Sequence, residues 1–361
     1  MADEVSEQKE KEFKAACKKL GLPVTVSYAP FQDNVPDVEM TGGKPKGLTI
    51  HETGNFNAKA RAMSQRNYVA NNHGGGPKIL ASFTMSVDDG QVVLICRLNF
   101  RNNHAGKALG NATHGSIEIC VNVDRDADKT NDNAAKAAAA YLFIWGLDRS
   151  VVVQHNIWYG KDCPMLLRRH GWGDLLMSID KHLATLKDEK GPEKPAVRQF
   201  PQTGHVLYGE FKTYFEGNGD VEAFGFPITD TTQENISGTV YPYVQWFERA
   251  RMEWHEDVKK VLLGRVGAEL VAAKGRPVDP AATVADRFAK YYEKNGGVEI
   301  FGLPLEGERL EELSGQFYHI QYFERARLEA DVNTGNITRG RVGAEAREAI
   351  IESVPDSPAA V

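Results

Sequence analysis

The chain has 361 residues, 42% of them hydrophobic and 25% charged, which is enough to bury more than one core. A formal charge of -6 and no clustered Lys/Arg stripe exclude a binder of polyanions, so nucleic acid is not an expected partner. The start, "MADEVSEQKEKEFKAACKK", lacks the apolar centre of a signal peptide, and no run approaches the roughly 20 apolar residues of a membrane span, so synthesis in the cytoplasm without a membrane anchor is expected.

"GLTIHET" (Gly47 to Thr53) has a period of two that predicts a strand with Leu48 and Ile50 on one face and Thr49, His51 and Thr53 on the other. "NAKARAMSQRNYVANN" (Asn57 to Asn72) opens on a capping-type Asn and is rich in helix formers. "SFTMSVDDGQVVLI" (Ser82 to Ile95) reads as a hairpin turning at Asp89-Gly90. "SIEICVNVD" (Ser116 to Asp124) alternates, with Ile117, Ile119, Val121 and Val123 facing one way and Ser116, Glu118, Cys120 and Asn122 the other. "NAAKAAAAYLFIWG" (Asn133 to Gly146) predicts a largely buried helix stopped by Gly146, and "SVVVQH" (Ser150 to His155) a short apolar strand. Helices and strands interleaved in this order predict an α/β domain with a central sheet covered by helices.

Two Pro- and charge-rich stretches, Leu186 to Gln199 and Val271 to Val284, read as exposed linkers. The regions they delimit resemble each other. "FKTYFEGNGDVEAFGFPITD" from Phe211 matches "FAKYYEKNGGVEIFGLPLEG" from Phe288, "VQWFERARMEW" from Val244 matches "IQYFERARLEA" from Ile320, and "GRVGAE" recurs at Gly264 and Gly340. The offset of 77 and then 76 residues marks a duplicated module. The predicted organisation is an amino-terminal domain over 1–188 followed by two small α+β repeats, 200–270 and 284–347.

"QHNIWYGKDCP" (Gln154 to Pro164) places His155 eight positions before Cys163, with Lys161 between them. Three readings compete for this loop: half of a disulfide, a buried structural thiol, and part of a metal site. The four cysteines, Cys17, Cys96, Cys120 and Cys163, lack the density of a disulfide framework. His51 and His155 each close a predicted strand, and two imidazoles with a thiolate make a three-ligand zinc set that keeps its fourth position open. A lone strand-end histidine is more often a hydrogen-bonded structural residue, and ten histidines are available, so spacing alone leaves the alternatives open.

The order "GLTIHETGN", "ASFTMSVDDG", "NNHAGKALGN", "GSIEICVN" and "QHNIWYGKDCP" resembles the zinc-dependent N-acetylmuramoyl-L-alanine amidases of type 2, a family that includes phage endolysins and peptidoglycan recognition proteins. The resemblance spans about Lys46 to Leu176 and implies a central mixed β-sheet flanked by helices. It further implies zinc on His51, His155 and Cys163, Glu118 as the acidic catalytic residue and Lys161 as the cation near the developing oxyanion. His104 corresponds to a pocket histidine beside the metal, and Thr84 stands where many members carry a second histidine; both are expected on the substrate side.

The repeats resemble the LGFP-type repeats of bacterial cell-wall proteins, which implies that they target the wall. Most of their aromatics are expected in the core, with Trp246 or Tyr322 as candidates for stacking on sugar rings. The function implied by the whole is a peptidoglycan hydrolase, an endolysin that is released to the wall and cuts between N-acetylmuramic acid and L-alanine. The alternative is a recognition protein that grips peptidoglycan without cutting it. Cys163 and Glu118 together favour the enzyme, since non-catalytic relatives typically lose the cysteine.

Overall fold

Period-two apolar runs in the first half of the chain form one six-stranded sheet in the computed structural model, which describes residues 2–71, 81–189 and 197–353. Two compact units result, one comprising residues 1–194 with Gln233–Pro242, the other Pro195–Thr232 with Tyr243 onward.

The first unit contains α1 (Ala2–Lys19), β1 (Val24–Val26), β2 (Gly47–Glu52), α2 (Ala62–Asn71), β3 (Met85–Val87), β4 (Val92–Leu94), α3 (Ala108–Thr113), β5 (His114–Ile119), α4 (Ala127–Trp145), β6 (Val152–Gln154), α5 (Asn156–Tyr159), α6 (Met165–Arg169) and α7 (Trp172–Lys187). Sheet order is β1-β4-β3-β5-β2-β6. Only the β3/β4 hairpin is antiparallel and every other neighbouring pair is parallel, so the sheet is mixed. The hairpin turns where Asp89-Gly90 predicts, with the Asp88 carboxylate accepting from the backbone N–H groups of Gly90 and Gln91. Helix α4 lies on the sheet through a near-continuous buried alanine run, and Tyr141 presses onto β5 where Gly115 leaves room.

Three boundaries differ from the sequence expectation. Strand β5 ends at Ile119 rather than Asp124, because Val121 N–H turns to the Thr53 hydroxyl and leaves the ladder; Val123 is 72% exposed. Helix α4 starts six residues early, capped by Asp126, whose carboxylate accepts from Lys129 N–H. Helix α2 starts at Ala62, not Asn57, because its cap comes from a distant residue: Asp88 accepts from Ala62 N–H. Asn72 lies outside the described residues.

From Val197 onward the chain repeats one plan twice. The first copy holds β7 (Val197–Phe200), β8 (His205–Tyr208), α8 (Gly209–Gly217), α9 (Asp220–Phe224), β9 (Thr232–Ile236), β10 (Thr239–Trp246), β11 (Arg251–His255), β12 (Lys260–Leu263) and α10 (Val266–Ala273). The second holds α11 (Asp286–Lys294), α12 (Gly297–Phe301), β13 (Arg309–Leu313), β14 (Gln316–Tyr322), β15 (Arg327–Asp331), β16 (Ile337–Arg339) and α13 (Val342–Ser353). Each copy carries a four-stranded antiparallel sheet, with the strands following one another in order.

The repeated motifs are explained by packing. In "FGFP" and "FGLP", Gly225 and Gly302 sit at φ of 74° and 78°, where a Cβ would strike Glu248 and Glu324; those carboxylates accept from Phe226 and Leu303 N–H. The second arginine of each "FERAR" is buried. Arg251 pairs with Glu253 and with both oxygens of Glu269, and Arg327 does the same with Glu329 and Glu345, so strand and closing helix are tied in each copy. Trp246 and Tyr322 are fully buried beneath these guanidinium groups, which removes both as sugar-stacking residues.

The two copies share one core, in which Phe215, Phe224 and Phe247 join Phe301 and Phe323. Each closing helix also reaches the other copy: Ala268 N–H donates to Glu324 C=O and Ala344 N–H to Glu248 C=O. The stretch 271–284 is largely exposed, as expected of a linker, but it is also anchored. It begins inside α10, Lys274 donates to the Tyr322 hydroxyl, and Asp279 N–H donates to Leu305 C=O. Of the other expected linker, 186–199, residues 190–196 lie outside the described residues; Leu186 and Lys187 close α7, and β7 begins at Val197.

Candidate functional site

Three parallel strands, β5, β2 and β6, end side by side, and their carboxyl ends carry the chemistry. His51 on β2 is the register partner of Glu118 on β5, so the two side chains leave the sheet on one face. His155 follows β6 immediately, its N–H donating to Ile50 C=O. The loop after it closes on itself, with Asn156 N–H donating to Cys163 C=O, and returns the thiol to the strand ends.

The ligand atoms of His51, His155 and Cys163 all lie within 4.8 Å of one another, and all three residues are buried. The His51 and His155 ring centroids are 4.4 Å apart, and Cys163 Sγ is 3.9 Å from His51 Nδ1. All four cysteines are free and buried, so the disulfide reading of Cys163 falls. Burial holds His51 well below the ordinary imidazole range, with His155, His104 and Lys161 adding to the effect. Burial first and Lys161 second bring His155 down to about 4. Both rings are therefore neutral at physiological pH, which is the ligating form. The Cys163 thiol, pushed up to about 12 by burial and then by Glu118, keeps its proton unless a cation displaces it. The group can hold a metal ion.

Glu118 is 5% exposed, and its Oε2 has no hydrogen-bond partner among the described residues. Burial pushes its pKa up to about 8; Lys161 opposes this and Glu52 reinforces it. A carboxyl that titrates near neutrality beside a group able to hold a metal ion is suited to proton transfer. Lys161 is exposed at the rim.

Thr84 and His104 are placed differently from the expectation that they face substrate. Thr84 is fully buried, and its hydroxyl oxygen accepts from Asn102 Nδ2 and Ser116 N–H. His104 is 3% exposed with both ring nitrogens engaged inside the domain, Nδ1 at 3.1 Å from His51 Nε2 and Nε2 at 3.2 Å from His114 C=O.

Two residues that the sequence reading passed over build the site. Glu52 accepts from Leu166 N–H at 2.6 Å and Leu167 N–H at 3.2 Å, fastening the chain just after Cys163 to the strand that carries His51. Trp158 donates its indole N–H to Thr49 on β2 and meets His114 edge-on, with Gly110 leaving room for its ring. Period two assigns Glu52 to the face opposite His51, so its role is invisible without the return of the loop. Thr49, on the face of His51, was the available signal for Trp158.

Residues 41–165 match the family described as N-acetylmuramoyl-L-alanine amidase, Amidase_2, and the segment includes all four buried site residues. This segment is an Amidase_2 domain. The amidase domain is also similar to two curated Bacillus subtilis (strain 168) proteins. With the N-acetylmuramoyl-L-alanine amidase XlyA it shares 32% identity over 137 residues, 37% of this chain and 43% of the relative. With the N-acetylmuramoyl-L-alanine amidase CwlH it shares 30% over 181 residues, 49% of this chain and 66% of the relative. The chain thus spans between two fifths and two thirds of the length of these relatives. Among solved structures, a mutant endolysin from Bacillus subtilis is 30% identical with a TM-score of 0.40, the match covering 44% of this chain and 99% of that one. No helix among the described residues is long and apolar enough to cross a membrane.

Proposed function

We propose that the chain is a zinc-dependent N-acetylmuramoyl-L-alanine amidase acting on peptidoglycan at the bacterial cell wall, with the endolysin-type lytic role implied by its relatives. The observation that carries this reading is the convergence of His51, His155 and Cys163 beside Glu118, whose Oε2 has no hydrogen-bond partner among the described residues. The donor set fits zinc. With Zn–S near 2.3 Å and Zn–N near 2.0–2.1 Å, tetrahedral ligation separates sulfur from nitrogen by about 3.5 Å, close to the 3.9 Å between Cys163 Sγ and His51 Nδ1. What zinc supplies at such a site is Lewis acidity, which lowers the pKa of water to about 7 and polarises a carbonyl.

The protein's own residues do the remaining work. Glu118, with its raised affinity for a proton, takes one from the attacking water and returns it to the departing L-alanine amine. Lys161 provides positive charge at the rim, where the scissile carbonyl oxygen becomes negative. The neutral state of His51 and His155 leaves their lone pairs for the metal. Glu52 and Trp158 hold the loop so that Cys163 does not drift from His51. The repeats, 200–270 and 284–347, are read as one wall-targeting body.

Mass analysis of digested peptidoglycan tests the proposal. The expected products are stem peptides with a free L-alanine amine and intact glycan strands, formed only with metal present. New reducing sugar ends, or amines generated within the stem peptide, would refute it. Substitution of Cys163 by Ala is expected to abolish both metal binding and turnover.

A further inference from the structure

We propose that His104 is a positioning residue that sets the tautomer of His51 and thereby decides which His51 nitrogen is presented to the metal. The inference rests on reading His51, His155 and Cys163 as a metal site, and it replaces substrate contact as the role of His104. The relay starts at a backbone carbonyl, a group that cannot donate. His104 Nε2 lies 3.2 Å from the backbone carbonyl of His114, and a carbonyl oxygen only accepts, so the ring proton of His104 sits on Nε2. A neutral imidazole with its proton there has a lone pair on Nδ1. That lone pair is 3.1 Å from His51 Nε2, which must then be the donor. His51, neutral in turn, keeps its lone pair on Nδ1, the nitrogen that lies 3.9 Å from Cys163 Sγ.

The polarity of the relay is anchored at both ends by rigid structure. The His114 carbonyl belongs to the first residue of β5. The backbone N–H groups of His104 and Ala105 both donate to Asn111 Oδ1 on α3, which fixes the loop that carries the ring. His51 is nearly perpendicular to His104, at 85°, so the His104 lone pair meets the edge of His51. Histidines that bind metals commonly donate their distal N–H to a carboxylate or carbonyl. Here the acceptor is another histidine, whose own polarity is imposed one step further out.

The test uses the full chain, with nitrogen-labelled histidine and metal removed by chelation. Long-range proton–nitrogen correlation spectra distinguish protonated from unprotonated ring nitrogens for each of the ten histidines. Deleting His104 as His104→Asn assigns its signals and those of the perturbed neighbour. The expected pattern is protonation of Nε2 in both His104 and His51; a proton on Nδ1 of either ring overturns the proposal. Zinc affinity, measured by competition with a chromophoric chelator, gives the second readout. His104→Leu, which keeps bulk and removes the acceptor, is expected to weaken zinc about tenfold to a hundredfold. His104→Asn, whose amide oxygen can replace Nδ1 as acceptor, is expected to recover much of that loss. Affinity in folded His104→Leu within about twofold of the unsubstituted chain overturns the proposal. If His104→Leu does not fold, the spectra of the unsubstituted chain decide. A chain that binds no zinc defeats the metal-site reading, and the spectra still decide the relay.

Discussion

Replacing Glu118 by Gln should remove most turnover and, in the metal-free protein, raise stability in a way that depends on pH. The amide would retain the shape but neither accept a proton nor carry charge. The folded-state pKa of Glu118 is raised from 4.5 to about 8, mainly by burial. Below pH 4.5 the carboxyl is protonated in both folded and unfolded chains, and the variant gains nothing. Between 4.5 and about 8 the unfolded chain ionises while the folded one holds its proton, so the native protein loses stability as pH rises; above 8 the loss is complete. At 1.36 kcal/mol per pH unit the interval caps the effect at about 5 kcal/mol. Water entry reduces it to about 1–3 kcal/mol, roughly 2–10 °C in Tm for a domain of this size. His51 and His155 titrate alike in both proteins and cancel in the comparison. The assay is thermal unfolding of both chelated proteins from pH 5 to 9, paired with peptidoglycan turnover after zinc is restored. Turnover should fall about a hundredfold to ten-thousandfold. A Tm difference that is absent at pH 9, or that is the same at every pH, would refute the reasoning about Glu118.

Glu52→Ala removes the acceptor of Leu166 and Leu167 N–H; it should cost about 1–3 kcal/mol and weaken metal binding, which isothermal titration would show as a higher Kd. Lys161→Ala should lower kcat more than it raises KM, since charge at the rim matters as the oxyanion develops; steady-state kinetics on a soluble muropeptide separates the two. Gly267→Ala puts a Cβ about 2.0 Å from Phe323 C=O, and Gly343→Ala one about 2.1 Å from Phe247 C=O; each should destabilise the repeat body by about 1–3 kcal/mol, read by denaturant unfolding. Because the two copies share a core and cross-bond through their closing helices, a fragment ending at Lys274 should lack a cooperative transition, while 197–353 should unfold as one body and cosediment with purified sacculi.

Period two made legible only the strand faces of His51 and Glu118; the candidate ligand set and the acidic residue came from the resemblance in motif order, since spacing left the structural and disulfide readings open. Ligand chemistry made a His-His-Cys zinc set possible without selecting it from the ten histidines. The duplication was legible as well, since two copies of one packing solution need the same residues at the same offsets. What the tertiary structure decided is which copies of a local pattern meet. The in-register pairing of His51 with Glu118 depends on β2 and β5 lying side by side although 67 positions separate the two residues. Glu52 serves the site only because the Cys163 loop returns to it. His104 moved from the substrate side to the support of His51 because its ring nitrogens found partners on other elements. Trp246 and Tyr322 went into the core because buried arginines cover them, and the stretch 271–284 became part of the second repeat through bonds to Tyr322 and Leu305. A local sequence sets which faces and ligands are on offer; long-range contact, which no short window contains, selects among them.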